Sequence, residues 1–166
     1  MNNTNLDKAN ATSFELVFPK IPTEKGIRAS EELTLNIFET IIPSVSIDAN
    51  EQNWQGSKIQ LDGGKTTFEP WTVNFVVDSD FRNWKMIYRW FMFIANNKDK
   101  FGEIRNKYTV DARLTILDNY RNNILSMKFV SAWPTMLTEV NLTYREAEPN
   151  LEALINIAYD YYELIE

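Results

Sequence analysis

The chain has 166 residues, a net charge of −6, and neither cysteine nor histidine. That length suits one domain able to bury its own core without disulfides or metals. The missing residue types exclude thiolate zinc sites, cysteine nucleophiles, serine–histidine triads and the commonest general base, and the negative balance disfavours tight binding to a polyanion.

The first stretch, MNNTNLDKANATS, is polar and lacks the charged and apolar regions of a signal peptide. Residues 1–12 read as a flexible N-terminal arm and residues 13–166 as a single β domain. No apolar run reaches membrane-spanning length, so no membrane anchor is expected and the product reads as soluble and cytosolic.

SFELVF places Phe14, Leu16 and Phe18 on one face, with Pro19 and Pro22 closing the strand. Residues 33–48 put Leu33, Leu35, Ile37 and Ile41 at strand spacing and Pro43 at a bend, which predicts one long kinked strand. SKIQL and WTVNFVV then flank LDGGKTTFEP, where Gly63 and Gly64 suit a tight turn. DGGK lacks the first glycine and the following helix of a phosphate loop.

At residue 80 the period changes from two to helical. Phe81, Trp84, Tyr88, Phe91 and Ala95 recur on one side of a helix over about residues 80–97, with Ser79 or Asp80 as its cap. Met86, Trp90, Phe93 and Ile94 fall on its other side, so the helix is apolar on more than the single stripe a surface helix needs. One side is expected to pack on the sheet and the other, at Met86, Trp90 and Phe93, to meet a neighbouring subunit.

Residues 110–117 and 122–132 alternate as a hairpin around the turn DNYRN. SAWPTML follows, and Pro134 beside Trp133 reads as a corner, since proline cannot donate in a central ladder. TEVNLTY and the terminal LEALINIAYDYYELI read as two further strands, the last turning Leu151, Ala153, Ile155, Ile157, Tyr159 and Tyr161 one way. Strands on both sides of one helix predict a mainly β fold: an antiparallel β-sandwich or barrel with one flanking α-helix.

No catalytic constellation emerges. Asp78 and Asp80 precede the helix and read as caps favoured by its dipole; Ser126 and Lys128 share the polar face of one strand. No enzyme activity, cofactor or metal is expected.

FEPWTVNFVVDSDFRNW, SAWPTMLTEVNLTY and the ending INIAYDYYEL together resemble the tail tube protein family of contractile-tailed bacteriophages, over residues 33–165. By fold that family resembles the type six secretion tube and contractile bacteriocin tubes. The resemblance implies a structural virion protein: homohexameric rings, stacked into an inner tail tube within a sheath, assembled in the host cytoplasm and carrying DNA during ejection. It implies sheath, baseplate and tail terminator proteins as partners, and only transient, non-specific passage of DNA. A baseplate-proximal initiator or the tube of a contractile injection system are the related alternatives. A carbohydrate-binding sandwich, or a small hydrolase with a deep pocket at Asp78 or Asp160, are the alternatives of other classes.

For such a tube, residues 43–70 are an expected excursion between subunits, with Trp54 and Ile59 to bury. Polar strand faces supply the candidates for the lumen: Asp111, Arg113, Ser126, Lys128, Glu152, Asn156 and Asp160. An acidic or neutral lining keeps DNA mobile where a lysine-rich one would hold it through counterion release.

Overall fold

The computed structural model describes residues 14–22, 31–54, 56–96, 101–118, 120–142 and 150–165. The expected N-terminal arm lies outside the described residues. The described chain is mainly β and all its strand pairs are antiparallel.

One sheet runs β2 (Glu31–Leu35), β1 (Phe14–Ile21), β7 (Val110–Leu117), β8 (Asn123–Leu137), with β10 (Tyr161–Ile165) on the far side of β8. The second runs from the end of β8 through β9 (Glu152–Ala158) and β6 (Trp71–Val76) to β3 (Ile37–Thr40). Both sheets share β8 and fold over one core, in which Trp71 of the second sheet stacks on Phe129 of the first at 3.8 Å and 7°. The result is the expected sandwich with a flanking helix; the strands described do not close into a barrel.

The crossing between sheets explains the tryptophan and proline at 133 and 134. The bend comes slightly earlier, at Ser131, whose φ is +55°. A bulge there sets one residue of β7, Asp111, against two of β8, Val130 and Ser131, between the pairs Val110↔Ala132 and Ala112↔Phe129. The Asp111 carboxylate accepts the Ser131 amide at 3.1 Å and steadies the bulge. Beyond it β8 pairs only with β9, so Pro134 lies where its missing donor costs no ladder bond. The strand thus continues through the pair to Leu137, and residues 138–142, expected as a strand, are not one.

The last strand changes sheets in the same way. It divides into β9 and β10 at Tyr159 and Asp160, where the Asp160 amide donates to the Val130 carbonyl at 3.0 Å. The break shifts the alternation by one residue: Tyr162 packs inward against Phe129, and Tyr161 is left 44% exposed. The predicted strand of residues 33–48 is divided similarly, into β2, β3 and β4 (Val45–Trp54), one in each of three sheets.

Helix α1 (Arg82–Asn96) covers the core. Its start is built by side chains satisfying the free amides of a first turn: Asp78 accepts from the Asn83 amide, Asp80 from the Arg82 amide, and Asn83 Oδ1 from the amides of Asp78 and Trp84. Asp78 and Asp80 are therefore caps, as expected. Asn83 is 2% exposed because its Nδ2 also donates to the Val76 carbonyl at 2.8 Å. A second helix, α2 (Phe101–Tyr108), was not predicted.

Candidate subunit interface

The buried row of α1 is Asn83, Met86, Ile87 and Trp90, a stripe of i, i+3, i+4 and i+7. Trp90 is fully buried, meets Phe18 edge-on at 5.7 Å and donates its Nε1 to the Tyr108 carbonyl at 2.7 Å. The contact expected at Met86 and Trp90 is thus reversed: both belong to the core of their own subunit, and Phe93 is half-buried. On the side expected to pack on the sheet, Phe81 and Trp84 are half-buried against the core, while Tyr88, stacked on Trp84 at 5.3 Å, stays 47% exposed. An aromatic residue on each side left periodicity without a way to choose, and buried Asn83 was the missed signal.

Residues 43–70 do form an excursion. β4 and β5 (Ser57–Phe68) pair only with each other, as a ribbon outside both main sheets. The turn lies around Gly56, with φ +85°, rather than at Gly63 and Gly64. Those two glycines form a bulge inside β5: the register moves from Ile47↔Thr66 to Ala49↔Asp62, and a Cβ on Gly63 would stand 2.7 Å from the Asp48 carbonyl oxygen. Gly64 has φ +69°.

The root of this arm is fastened to the bend between β9 and β10. Phe68 meets Tyr159 and Tyr162 edge-on at 6.2 and 5.3 Å. Tyr159 Oη donates to the Glu69 carbonyl at 2.7 Å, and Tyr162 Oη to that of Pro43 at 3.3 Å. Burial, then Tyr162 and Glu69, push the Tyr159 phenol up to about 12. Beyond the root the arm is uncovered: Val45 is 51% exposed, Ile47 63%, Ile59 42% and Leu61 45%. Ile59 was anticipated from the sequence, whereas Val45, Ile47 and Leu61 were not; the side chain of Trp54 lies outside the described residues. Phe38, Ile41 and Ile42 leave a further exposed apolar strip on the same subunit.

The candidate lumen residues do not share a surface. Asp111, Arg113, Ser126 and Lys128 lie on the outer face of the first sheet, in register as Arg113↔Lys128 and near Thr115↔Ser126. That face is internally compensated. Lys128 Nζ lies 3.1 Å from Asp111 and 3.9 Å from Glu163, and the hydrogen bond and charge of Asp111 hold its ammonium above the ordinary lysine range. Ser126 is buried and accepts from Asn123 Nδ2 at 2.8 Å.

Glu152 and Asn156 lie on the outer face of the second sheet instead. There Thr72 donates to Asn156 at 3.0 Å and Asn74 to Glu39 at 2.9 Å, and β3, β6 and β9 carry no lysine or arginine. Asp160 belongs to neither face. It is ion-paired with Arg105 of α2, whose guanidinium also lies 5.4 Å from the Trp133 ring.

Hollows of about 570 and 510 Å³ open beside β1 and β7, the first lined by residues including Lys20, Lys107 and Asp111, the second by Glu15, Arg113 and Lys128. Neither takes in Asp78 or Asp160, where a hydrolase pocket would have been sought. Among the described residues no group of acidic side chains is placed to hold a metal, and no helix is long and apolar enough to cross a membrane.

The chain is thus an antiparallel β-sandwich with a flanking helix and an uncovered apolar arm. The sequence profile of the phage tail tube protein family matches residues 9–165, and the chain belongs to that family. It is thus a structural component of the phage tail, and so of the virion. It is 26% identical over 163 residues to the tail tube terminator protein of Enterobacteria phage T4, covering 95% of this chain and 89% of that one. Its fold is that of a chain in the tube terminating cap of the anti-feeding prophage (TM-score 0.70, 12% identity, 99% and 95% covered). It is also that of a chain in the 6-fold symmetrised baseplate of the same particle (TM-score 0.68, 8% identity, 96% of each).

Proposed function

We propose that six copies of this chain form a ring on the axis of the tail tube, at the end where the tube stops, and that DNA passes through it. The observation that carries the ring is the β4–β5 arm. Four aliphatic side chains stand exposed on a ribbon that pairs with no other described strand, and an isolated two-stranded ribbon is marginal in water. Covering it with another subunit resolves both facts. The terminal position is supported by the phage T4 relative, which is similar along nearly the whole length of both chains. Sheath, baseplate and tube proteins are the partners such a ring would meet.

The outer face of β3, β6 and β9 is the better lining for the bore, because Glu39 and Glu152 stand on strands that carry no lysine or arginine. The face holding Asp111, Lys128 and Glu163 spends its charges internally.

Electron microscopy and mass measurement of the purified chain test the ring. Hexameric rings are expected, and persistent monomers at high concentration overturn the reading. Phage lacking the chain test its position: tails with tubes of uncontrolled length are expected of a missing terminator, whereas complete absence of tubes assigns the chain to the tube body or its initiation.

A further inference from the structure

The arm is amphipathic twice over, and its sense reverses halfway along. At the root, Val45↔Phe68 and Ile47↔Thr66 are direct partners, so Val45, Ile47 and Phe68 share one face. Past the bulge the partners are Asn50↔Leu61 and Gln52↔Ile59. β4 continues its alternation throughout, so Leu61 and Ile59 fall on the side of Asn50 and Gln52, opposite to Val45 and Ile47. The side they leave carries the exposed Glu51–Lys58 ion pair, 3.1 Å between charges. The bulge at Gly63 and Gly64 adds two residues to β5 and so leaves its faces unchanged; the apolar row changes sides because Leu61 and Ile59 stand an odd number of residues from Phe68.

We infer that the arm is gripped from opposite sides by two different copies of this chain, one on its root face and another on its tip face. This rests on the ring reading above and adds a division of labour within the arm. One flat surface cannot cover both rows. The root row continues outward from Phe68, which already lies on the body of its own subunit, so a neighbour seated there abuts that body. The tip row faces the other way. Reach permits a second neighbour, since the twelve residues of β5 extend roughly 40 Å at about 3.3 Å each. Copies of this chain are the matching occupants, because each one carries an exposed strip of Phe38, Ile41 and Ile42 beside its own arm.

The test uses photo-crosslinking side chains at Ile47 and at Ile59, singly and together, in the full chain. Labelled subunits are diluted into assemblies of excess unlabelled chain, and crosslinked products are sized. Single labels are expected to give two-chain products, and the double label a three-chain product. Two-chain products alone from the double label overturn the two-copy grip and leave the ring standing. Rings that give no arm crosslinks at either site overturn both the grip and the role of the arm in the ring. Crosslinks to a different tail protein at either site, in phage lysates containing the labelled chain, overturn the assignment of the occupant.

Discussion

Tyr159 joins the arm root to the bend of the last strands through one hydroxyl, and its phenol is raised from 10.0 to about 12 by burial and by Tyr162 and Glu69. A phenol raised in the folded state contributes fully below the ordinary value. As pH climbs from 10.0 to about 12 the unfolded chain deprotonates first, and the contribution is lost. Tyr159→Phe should therefore lose less stability over that window than the wild type, while being weaker near neutrality by about 0.5–1.5 kcal/mol for the missing hydrogen bond. Paired denaturant titrations at several pH values check this; parallel pH profiles would show that the phenol does not titrate in that range. Trp90 gives a second prediction at this scale. Being wholly buried, it should cost about 3–5 kcal/mol when changed to alanine, and Trp90→Asp should fail to fold rather than fold without assembling. A soluble Trp90→Asp monomer with native circular dichroism would return this residue to the interface.

The elements were legible wherever apolar spacing was regular and failed wherever the backbone broke its own period. β1, the β7–β8 hairpin, β6 and α1 follow directly from alternation or from helical recurrence, and the sandwich with its helix follows from their order. The breaks at Asn36 and Asp160 left no mark in composition, and the one at Ser131 was marked only by the nearby Trp133 and Pro134, yet each sends the chain into another sheet. The glycine pair misled for a physical reason: positive φ serves a bulge as well as a turn, and only the partner strand distinguishes them. The site was half legible, because exposure of Ile59 follows from its isolated strand, whereas the pairing of Asp160 with Arg105 depends on an unpredicted helix. Gly63→Val belongs at this scale. Its side chain would collide with the Asp48 backbone, and Gly63 sits in the arm rather than the core. The variant should keep its thermal unfolding midpoint within a few degrees while ring formation falls severalfold. Normal rings, seen by mass measurement of the same preparation, would mean that the bulge geometry is immaterial to assembly.

For the ring proposed above, charge separates the surfaces that DNA could meet. The chain is acidic overall, at −6, but its negative charge is distributed unequally: the β7–β8–β10 face neutralises itself, and the β3–β6–β9 face does not. If the second face lines the bore, a moving polyanion finds no cations on those strands to exchange for its counterions, and passage is not delayed by binding. Replacing Glu39 and Glu152 with lysine changes that surface without touching the core, since both side chains lie on the outer face and Glu152 is exposed. The double variant should still form rings and complete tails. Its DNA release should slow markedly at low ionic strength and recover as salt rises, because phosphate binding to lysine weakens steeply with salt. The matching Asp111→Ala change on the other face should leave release unaltered and instead loosen the Ser131 bulge by removing its acceptor, detectable as a lower unfolding midpoint. Release kinetics from intact particles, read at two salt concentrations with assembly scored on the same preparation, decide the matter. If the lysine variant assembles normally and releases DNA at the wild-type rate at low salt, the β3–β6–β9 face lies away from the bore.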